Sequence, residues 1–117
     1  MHELSIVMSI IETVQEELIK HDAAAVETIE LDIGSLSGIE MQAFDFAWNC
    51  GIEQTILKNA KRVINRIKGM GLCKTCNVHF PMQHVYDACP VCKKYGAEII
   101  RGKELRIQSL TLTRKKK

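Results

Sequence analysis

The fold of the C-terminal half is decided by residues 73–92, which read CKTCNVHFPMQHVYDACPVC. This stretch contains two CxxC pairs, Cys73 with Cys76 and Cys89 with Cys92. In a CxxC turn two thiolates can meet one ion, while backbone N–H groups of the turn hydrogen-bond to the sulfurs. Two such pairs complete a tetrahedral shell. The spacing therefore predicts a closed, structural zinc site held by these four cysteines.

Other uses of paired cysteines fit this sequence less well. A redox CxxC pair sits at a strand–helix junction in a βαβ unit, and neither pair has that context. An iron–sulfur cluster also takes four cysteines, but two separate pairs suit zinc or a single rubredoxin-like iron better. The fifth cysteine, Cys50, follows Trp48 in a helical pattern, and we expect it to be a small buried apolar residue.

The compartment also argues against disulfides. No stretch approaches the roughly 18–20 apolar residues that span a bilayer. Acidic Glu3 comes early, and no basic segment precedes an apolar block as in a secretory signal. We therefore expect a cytoplasmic protein without membrane association, in which thiols stay reduced and bind metal.

The zinc ligands lie in a segment with little else to form a core. Residues 72–98 carry few large apolar side chains, so we expect metal binding to replace the missing hydrophobic burial. Gly69-Met70-Gly71 predicts a hinge before this segment, and Gly102 predicts the return from it. The sequence thus predicts a zinc-ribbon-like module with four cysteine ligands over residues 70–101, inserted into another domain.

The first helix of that domain is predicted from periodic apolar residues. From Leu4 to Leu18 these fall three or four apart, and the helix should end near residues 20–22. A half-buried strand over residues 26–33 should follow, with Ile29 and Ile33 on one face and Asp32 on the other. A turn over residues 34–38 comes next.

The second helix should begin with a capping box formed by Ser37 and Glu40, and should end near Gly51. Its buried side should carry Met41, Phe44 and Trp48. Further strands are predicted at about residues 60–68 and 104–113, the last with a phase change between Ile107 and Leu110.

The predicted fold class is α+β, with two helices packed on a small mixed or antiparallel sheet. A nickel-binding α+β domain of residues 1–69 and 102–113 would carry the zinc module, and residues 114–117 would form a basic tail. The formal net charge of +2 over 117 residues is too small to indicate nucleic-acid or membrane binding.

The amino terminus is the second candidate metal site. A free α-amino group followed by His2 presents the amine, an amide nitrogen and the imidazole in fused chelate rings. Planar nitrogen coordination selects Ni(II) or Cu(II), and Met1 and Glu3 could add backbone or side-chain support. A histidine at position 2 is more commonly an exposed side chain without function, so the residues alone leave nickel open.

The other three histidines have several interpretations. We expect His21 to be a favourable cation at a helix end. His79 and His84 lie between the cysteine pairs and could be surface residues, neighbours of the zinc site or a second nickel donor. No Ser/His/Asp set, open zinc site or phosphate-binding glycine loop is present, so we do not expect an enzyme.

Five sequence features together resemble the HypA/HybF family of hydrogenase and urease nickel-incorporation proteins. The features are the opening Met1-His2-Glu3-Leu4-Ser5, the turn at residues 33–38 (IGSLSG), Phe44, the two cysteine pairs with Cys89-Pro90, and residues 104–110 (ELRIQSL). The resemblance covers essentially the whole chain.

This resemblance implies a nickel metallochaperone that binds Ni(II) through His2, with Met1 and Glu3 in support. It implies zinc ligands at the four paired cysteines. The expected partners are a nickel-handling GTPase and the [NiFe]-hydrogenase large subunit, with urease maturation proteins in some members; homodimer formation is left open. Some members carry a histidine beside the cysteine pairs, where this chain has Asn77 and Lys93.

The alternative hypothesis is a zinc-ribbon adaptor that binds nucleic acid or acts in transcription. Lys74, Lys93, Lys94 and Arg101 would supply charge to such a surface, but few stacking aromatics accompany them.

Overall fold

A computed structural model describes residues 3–115 of the chain. Within that range the order of elements is α1 (Glu3–Lys20), β1 (Ala23–Gly34), α2 (Met41–Gly51), β2 (Lys61–Ile67), β3 (Gly69–Cys73), β4 (Val78–Met82), β5 (Glu98–Arg101) and β6 (Leu105–Arg114). The strands form two three-stranded sheets, ordered β2-β1-β6 and β4-β3-β5. The predicted α+β class is confirmed, although a second sheet joins the expected one.

The chain divides into two compact units. The described part of the first comprises residues 3–31, 39–64 and 107–115, and the second comprises Asp32–Gly38 and Asn65–Arg106. The assignment of nickel to residues 1–69 with 102–113, and of zinc to 70–101, stays a prediction. No helix within residues 3–115 is long and apolar enough to cross a membrane.

Helix α1 buries one stripe of side chains, as its periodicity predicts. Val7, Ile11, Val14 and Leu18 are all buried. Each buried side chain of this size contributes roughly 1.5–3 kcal/mol of hydrophobic stabilisation. The helix begins with acidic Glu3 and ends with basic Lys20, an arrangement that the helix dipole favours at both ends.

Helix α2 begins differently from the prediction. Its N-cap is Glu40, whose carboxylate accepts hydrogen bonds from the backbone N–H groups of Gln42 and Ala43 at 3.2 and 2.6 Å. The predicted capping box is therefore wrong, because it needs Ser37 at the N-cap position, which Glu40 occupies. The predicted end at Gly51 is confirmed.

The buried face of α2 carries Phe44 and Trp48, whose ring centroids lie 5.9 Å apart. The guanidinium of Arg62 lies 5.4 Å from the Trp48 centroid and forms an ion pair with Asp45 at 2.8 Å. Cys50 is exposed, so the prediction of a buried thiol is wrong. It lies two residues beyond Trp48, and a step of about 200° places it on a different helix face.

Strand β1 buries Ile29, Leu31 and Ile33 as expected, but its end is buried on both faces. Asp32 is 4% exposed, whereas the sequence suggested an outward-facing carboxylate. It accepts hydrogen bonds from Asn65 Nδ2 at 3.0 Å and Arg106 Nε at 2.9 Å. These two polar partners compensate for the loss of water around the carboxylate.

In the second unit the predicted hinge at residues 69–71 is wrong, because these residues begin strand β3. Strand β3 pairs antiparallel with β4 and with β5. A side chain on Gly71 would overlap the Met82 thioether, so the glycine permits close packing. The unit's core consists of Leu36, Cys73, Phe80, Met82 and Cys89.

The turn after β1 supplies Leu36 to this core. Its N–H donates to the Gly102 carbonyl at 2.7 Å, and the Ser35 N–H donates to the Ile67 carbonyl at 2.8 Å. Gly102 has φ +116, a conformation that other residues rarely adopt, and it precedes β6 as the predicted return from the insert. The predicted strand at residues 104–113 is confirmed as β6.

Candidate metal centre

The four paired cysteines meet in the second unit. Their Sγ atoms all lie within 4.8 Å of one another, and the Cys73 and Cys92 sulfurs are 3.6 Å apart. Cys73 and Cys89 are buried, while Cys76 and Cys92 are half-buried. Over residues 3–115 no other group of three or more His, Cys, Asp or Glu side chains could hold a metal ion.

The first cysteine pair belongs to a β-hairpin turn. Cys73 ends β3 and pairs with Val78 at the start of β4, so the intervening residues form the turn. The Cys76 N–H donates to Cys73 Sγ at 3.4 Å, and the Asn77 N–H donates to the Cys73 carbonyl at 2.7 Å. This turn directs both sulfurs to one point.

The second pair lies in the connection between β4 and β5 and repeats the same geometry. The Val91 N–H donates to Cys89 Sγ at 3.4 Å, and the Lys93 N–H donates to the Cys89 carbonyl at 2.9 Å. Both cysteine turns are therefore closed by the residue four positions after the first cysteine.

The two closing residues have left-handed backbones, a feature that sequence reasoning missed. Asn77 has φ 57 and Lys93 has φ 65. Asparagine tolerates this conformation, whereas lysine adopts it at a cost. The position directly after each CxxC pair was the available signal, because a chain that reverses around a metal needs a residue of this conformation there.

The thiols differ in acidity. Hydrogen bonding to Cys92, together with burial, raises the pKa of Cys76 to about 12. Backbone N–H groups, first that of Cys92 and then that of Val91, lower the pKa of Cys89 to about 7 against the effect of burial. Backbone donors thus favour a thiolate at Cys89, which is the form that binds metal.

The geometry fits a tetrahedral ion. Zn–S bonds of about 2.3 Å imply sulfur–sulfur separations of about 3.8 Å in a regular tetrahedron. The 3.6 Å separation of Cys73 and Cys92 is close to that value and well beyond the disulfide bond length of about 2.05 Å. The donor set therefore fits zinc or another thiophilic ion at a closed, four-thiolate site.

The described histidines lie outside this cluster. His79 is an exposed residue of β4. His84 is exposed, its ring stacks on Tyr86 with centroids 5.0 Å apart, and Nδ1 lies 3.3 Å from Asp87 Oδ1. His21 lies 3.2 Å from Glu17 at the end of α1. None of these rings joins the four sulfurs in the described part of the chain.

The predicted nickel ligand His2, and Met1 beside it, lie outside the described residues. Glu3 is the first residue that the structure describes, and it begins α1. Its Oε2 accepts a hydrogen bond from the Glu40 N–H at 3.3 Å. Glu3, the third residue of the predicted nickel site, is thus in contact with the N-cap residue of α2.

The fold and the site together define the class of protein: a small α+β protein with a cluster of four cysteines that could hold a metal ion. A family model described as "Hydrogenase/urease nickel incorporation, metallochaperone, hypA" matches residues 1–112. The chain belongs to this family, whose members are nickel metallochaperones of hydrogenase maturation. The resemblance seen in the sequence is confirmed.

Individual relatives agree with the family assignment. A hydrogenase maturation factor HypA from Parabacteroides distasonis is 42% identical over 112 residues, covering 96% of this chain and 97% of the relative. The corresponding protein from Geobacter metallireducens is 36% identical, covering 94% of this chain and 97% of the relative. The solution structure of the Ni metallochaperone HypA from Helicobacter pylori aligns with a TM-score of 0.70 at 29% identity, covering 98% of this chain and all of that one.

Proposed function

We propose that this protein captures Ni(II) at its amino terminus and passes it to an enzyme under maturation. The observation that carries the proposal is the family match, which spans residues 1–112 and so includes Met1-His2-Glu3. Nickel is the cargo, bound by the terminal amine, backbone nitrogen and the His2 imidazole, with Glu3 in support. A site on a chain terminus favours release more than a closed cage does.

The second metal in this proposal is resident zinc, held by Cys73, Cys76, Cys89 and Cys92. Four thiolates leave zinc no open position, so the ion supplies structure and no catalysis. The five core residues of the second unit offer little apolar area. Metal binding, which contributes on the order of 10 kcal/mol in comparable modules, would then provide most of that unit's stability.

The protein would act by transfer and not by catalysis of its own. Its partners would be a nickel-handling GTPase and the [NiFe]-hydrogenase large subunit in the cytoplasm, with urease maturation proteins as a further recipient. Homodimer formation is compatible with this role. The family assignment favours nickel delivery over the nucleic-acid adaptor that the zinc module alone would allow.

The direct test is a calorimetric nickel titration of untagged, zinc-loaded protein beside His2→Ala. We expect the wild type to bind Ni(II) and the variant to lose that site while its zinc content stays the same. His21→Ala is the matched control, because His21 is an exposed histidine that pairs with Glu17. Unchanged nickel affinity and stoichiometry in His2→Ala would contradict the proposal.

A further inference from the structure

Strand β6 offers a free sheet edge in the first unit. In the order β2-β1-β6 the strand has β1 on one side, and no strand among residues 3–115 pairs with its other side. The strand is long, Leu105–Arg114, and its exposed edge presents backbone N–H and C=O groups in alternation. Such an edge can accept a further strand from another protein.

A groove runs beside this edge. Two adjoining hollows of about 790 and 360 Å³ share His21, Leu110 and Leu112 in their walls. The smaller hollow is also lined by Thr13 and Glu17 of α1. Thr13, Glu17 and His21 are four residues apart in sequence, so they form one stripe along the helix.

The groove therefore has one helical wall and one strand wall. The helical stripe is polar and differs from the buried stripe that contains Val7 and Leu18. Leu110 and Leu112 are half-buried on the strand side. A strand added to the edge of β6 would lie beneath the helical stripe, and its apolar side chains would contact the two leucines.

The charged residues where β6 ends indicate which kind of peptide could bind in the groove. Arg114 and Lys115 line the larger hollow, and the sequence continues with Lys116 and Lys117. The acidic residues of the groove are already engaged, since Asp22 pairs with Lys115 at 2.9 Å and Glu17 with His21 at 3.2 Å. Because Asp22 neutralises Lys115, the positive charge of Arg114 gives the larger hollow its net charge, which complements an acidic segment.

The same charges disfavour a second copy of the chain. Antiparallel pairing of two β6 strands about Leu110 would bring Arg106 of each strand close to Arg114 of the other. Like charges directly opposite each other in a sheet are destabilising.

We propose that the groove between α1 and β6 is a docking site for an extended, acidic peptide segment of a partner protein, added as a strand to β6. Antiparallel addition would place the partner's N-terminal end beside Arg114 and Lys115, so the acidic residues would precede the apolar ones. None of the four cysteines lines the groove.

The test uses two short synthetic peptides of alternating valine and threonine, one beginning with aspartates and one with lysines. Each is titrated into zinc-loaded, full-length, ¹⁵N-labelled protein, and amide shifts are followed by NMR. We expect the aspartate peptide to shift amides in β6 and in the Thr13–His21 stripe. The affinity of the lysine peptide should be lower by about tenfold or more, because its positive charges are repelled by those of the groove.

Three variants make the outcome decisive. Leu110→Glu should abolish binding, while Ile19→Glu should leave it unchanged, because Ile19 is 82% exposed on α1 and does not line the groove. Replacement of both Arg114 and Lys115 by glutamate should reverse the preference between the two peptides. Both side chains are exposed, so we expect the variant to fold.

Equal affinity for the two peptides, or shifts confined to other parts of the chain, would overturn the proposal. So would a concentration-dependent dimer in sedimentation that Leu110→Glu abolishes, because a second copy would then be the occupant.

Discussion

The backbone N–H of Glu40 donates a hydrogen bond to the carboxylate of Glu3 over 3.3 Å, which joins the first residue of α1 to the cap of α2. Glu40 also accepts hydrogen bonds from Gln42 and Ala43 through its own side chain. Its backbone position is therefore fixed by the start of the second helix. A fixed partner for Glu3 in turn orients the residue that follows the proposed nickel ligand His2.

Replacement of Glu3 should weaken nickel binding without affecting zinc. We expect Glu3→Ala to lower nickel affinity by about tenfold, as removal of an outer-shell partner commonly does, and Glu3→Gln to retain more of it because an acceptor oxygen remains. Calorimetry measures both, with Glu12→Ala, on the exposed side of α1, as the control. Equal nickel affinity in wild type, Glu3→Ala and Glu3→Gln would exclude this supporting role.

Loss of one cysteine ligand should unfold the second unit selectively. In Cys92→Ser we expect the zinc content to fall and the amide signals of residues 65–106 to collapse, because the remaining core is too small to fold alone. The helical circular dichroism of α1 and α2 should persist. Cys50→Ser is the control, since Cys50 is exposed and outside the cluster. Full zinc occupancy with an unchanged spectrum in Cys92→Ser would contradict this expectation.

Relief of the left-handed backbone at Lys93 should stabilise the protein. Lys93→Gly should raise the free energy of unfolding by about 0.5–1 kcal/mol, because glycine adopts φ 65 without a steric penalty. Lys94→Gly is the matched control, and it should be neutral or destabilising since Lys94 has no positive φ. Denaturant titration of the zinc-loaded proteins measures the free energy of unfolding of both variants. A loss of stability in Lys93→Gly would show that the backbone of Lys93 is not strained.

The buried carboxylate of Asp32 should make stability depend on pH. Hydrogen bonding from Asn65, and then the Arg106 guanidinium, hold the pKa of Asp32 below its ordinary value despite burial. Stabilisation from a lowered carboxyl pKa is present above the ordinary value and is lost as pH falls through the lowered one.

We therefore expect the stability difference between wild type and Asp32→Asn to be largest near neutral pH and to shrink below about pH 4. Urea unfolding across pH measures this difference, and Glu53→Gln, at an exposed ion pair with Lys58, should show a much smaller change. A stability difference that does not vary with pH would show that the charge of Asp32 does not contribute to the free energy of unfolding.

Local patterns in the sequence were enough to predict both helices, the strands at β1, β2 and β6, and the four-cysteine cluster. Helical periodicity and CxxC spacing are short-range signals, so they need no knowledge of the rest of the chain. Strands β3, β4 and β5 were not predicted, because the stretch around them carries few large apolar residues from which a strand pattern could be recognised.

Two features that the sequence did not predict depend on contacts between residues distant in sequence. Asp32 is buried because Asn65 and Arg106, far away along the chain, supply donors. Leu36 belongs to the core of the unit that holds the four paired cysteines, although it precedes them by more than 30 residues. The failed capping box has a local cause, because Glu40 itself occupies the N-cap position that the prediction gave to Ser37.

In the proposed function, the amino-terminal nitrogens and the His2 imidazole hold Ni(II), separately from the four thiolates. X-ray absorption at the nickel edge of untagged, zinc-loaded protein tests it most directly. We expect a planar shell of nitrogen and oxygen donors that includes an imidazole around nickel, with zinc still in a sulfur shell. Nickel with sulfur neighbours, or an imidazole signal that survives in His2→Ala, would contradict it.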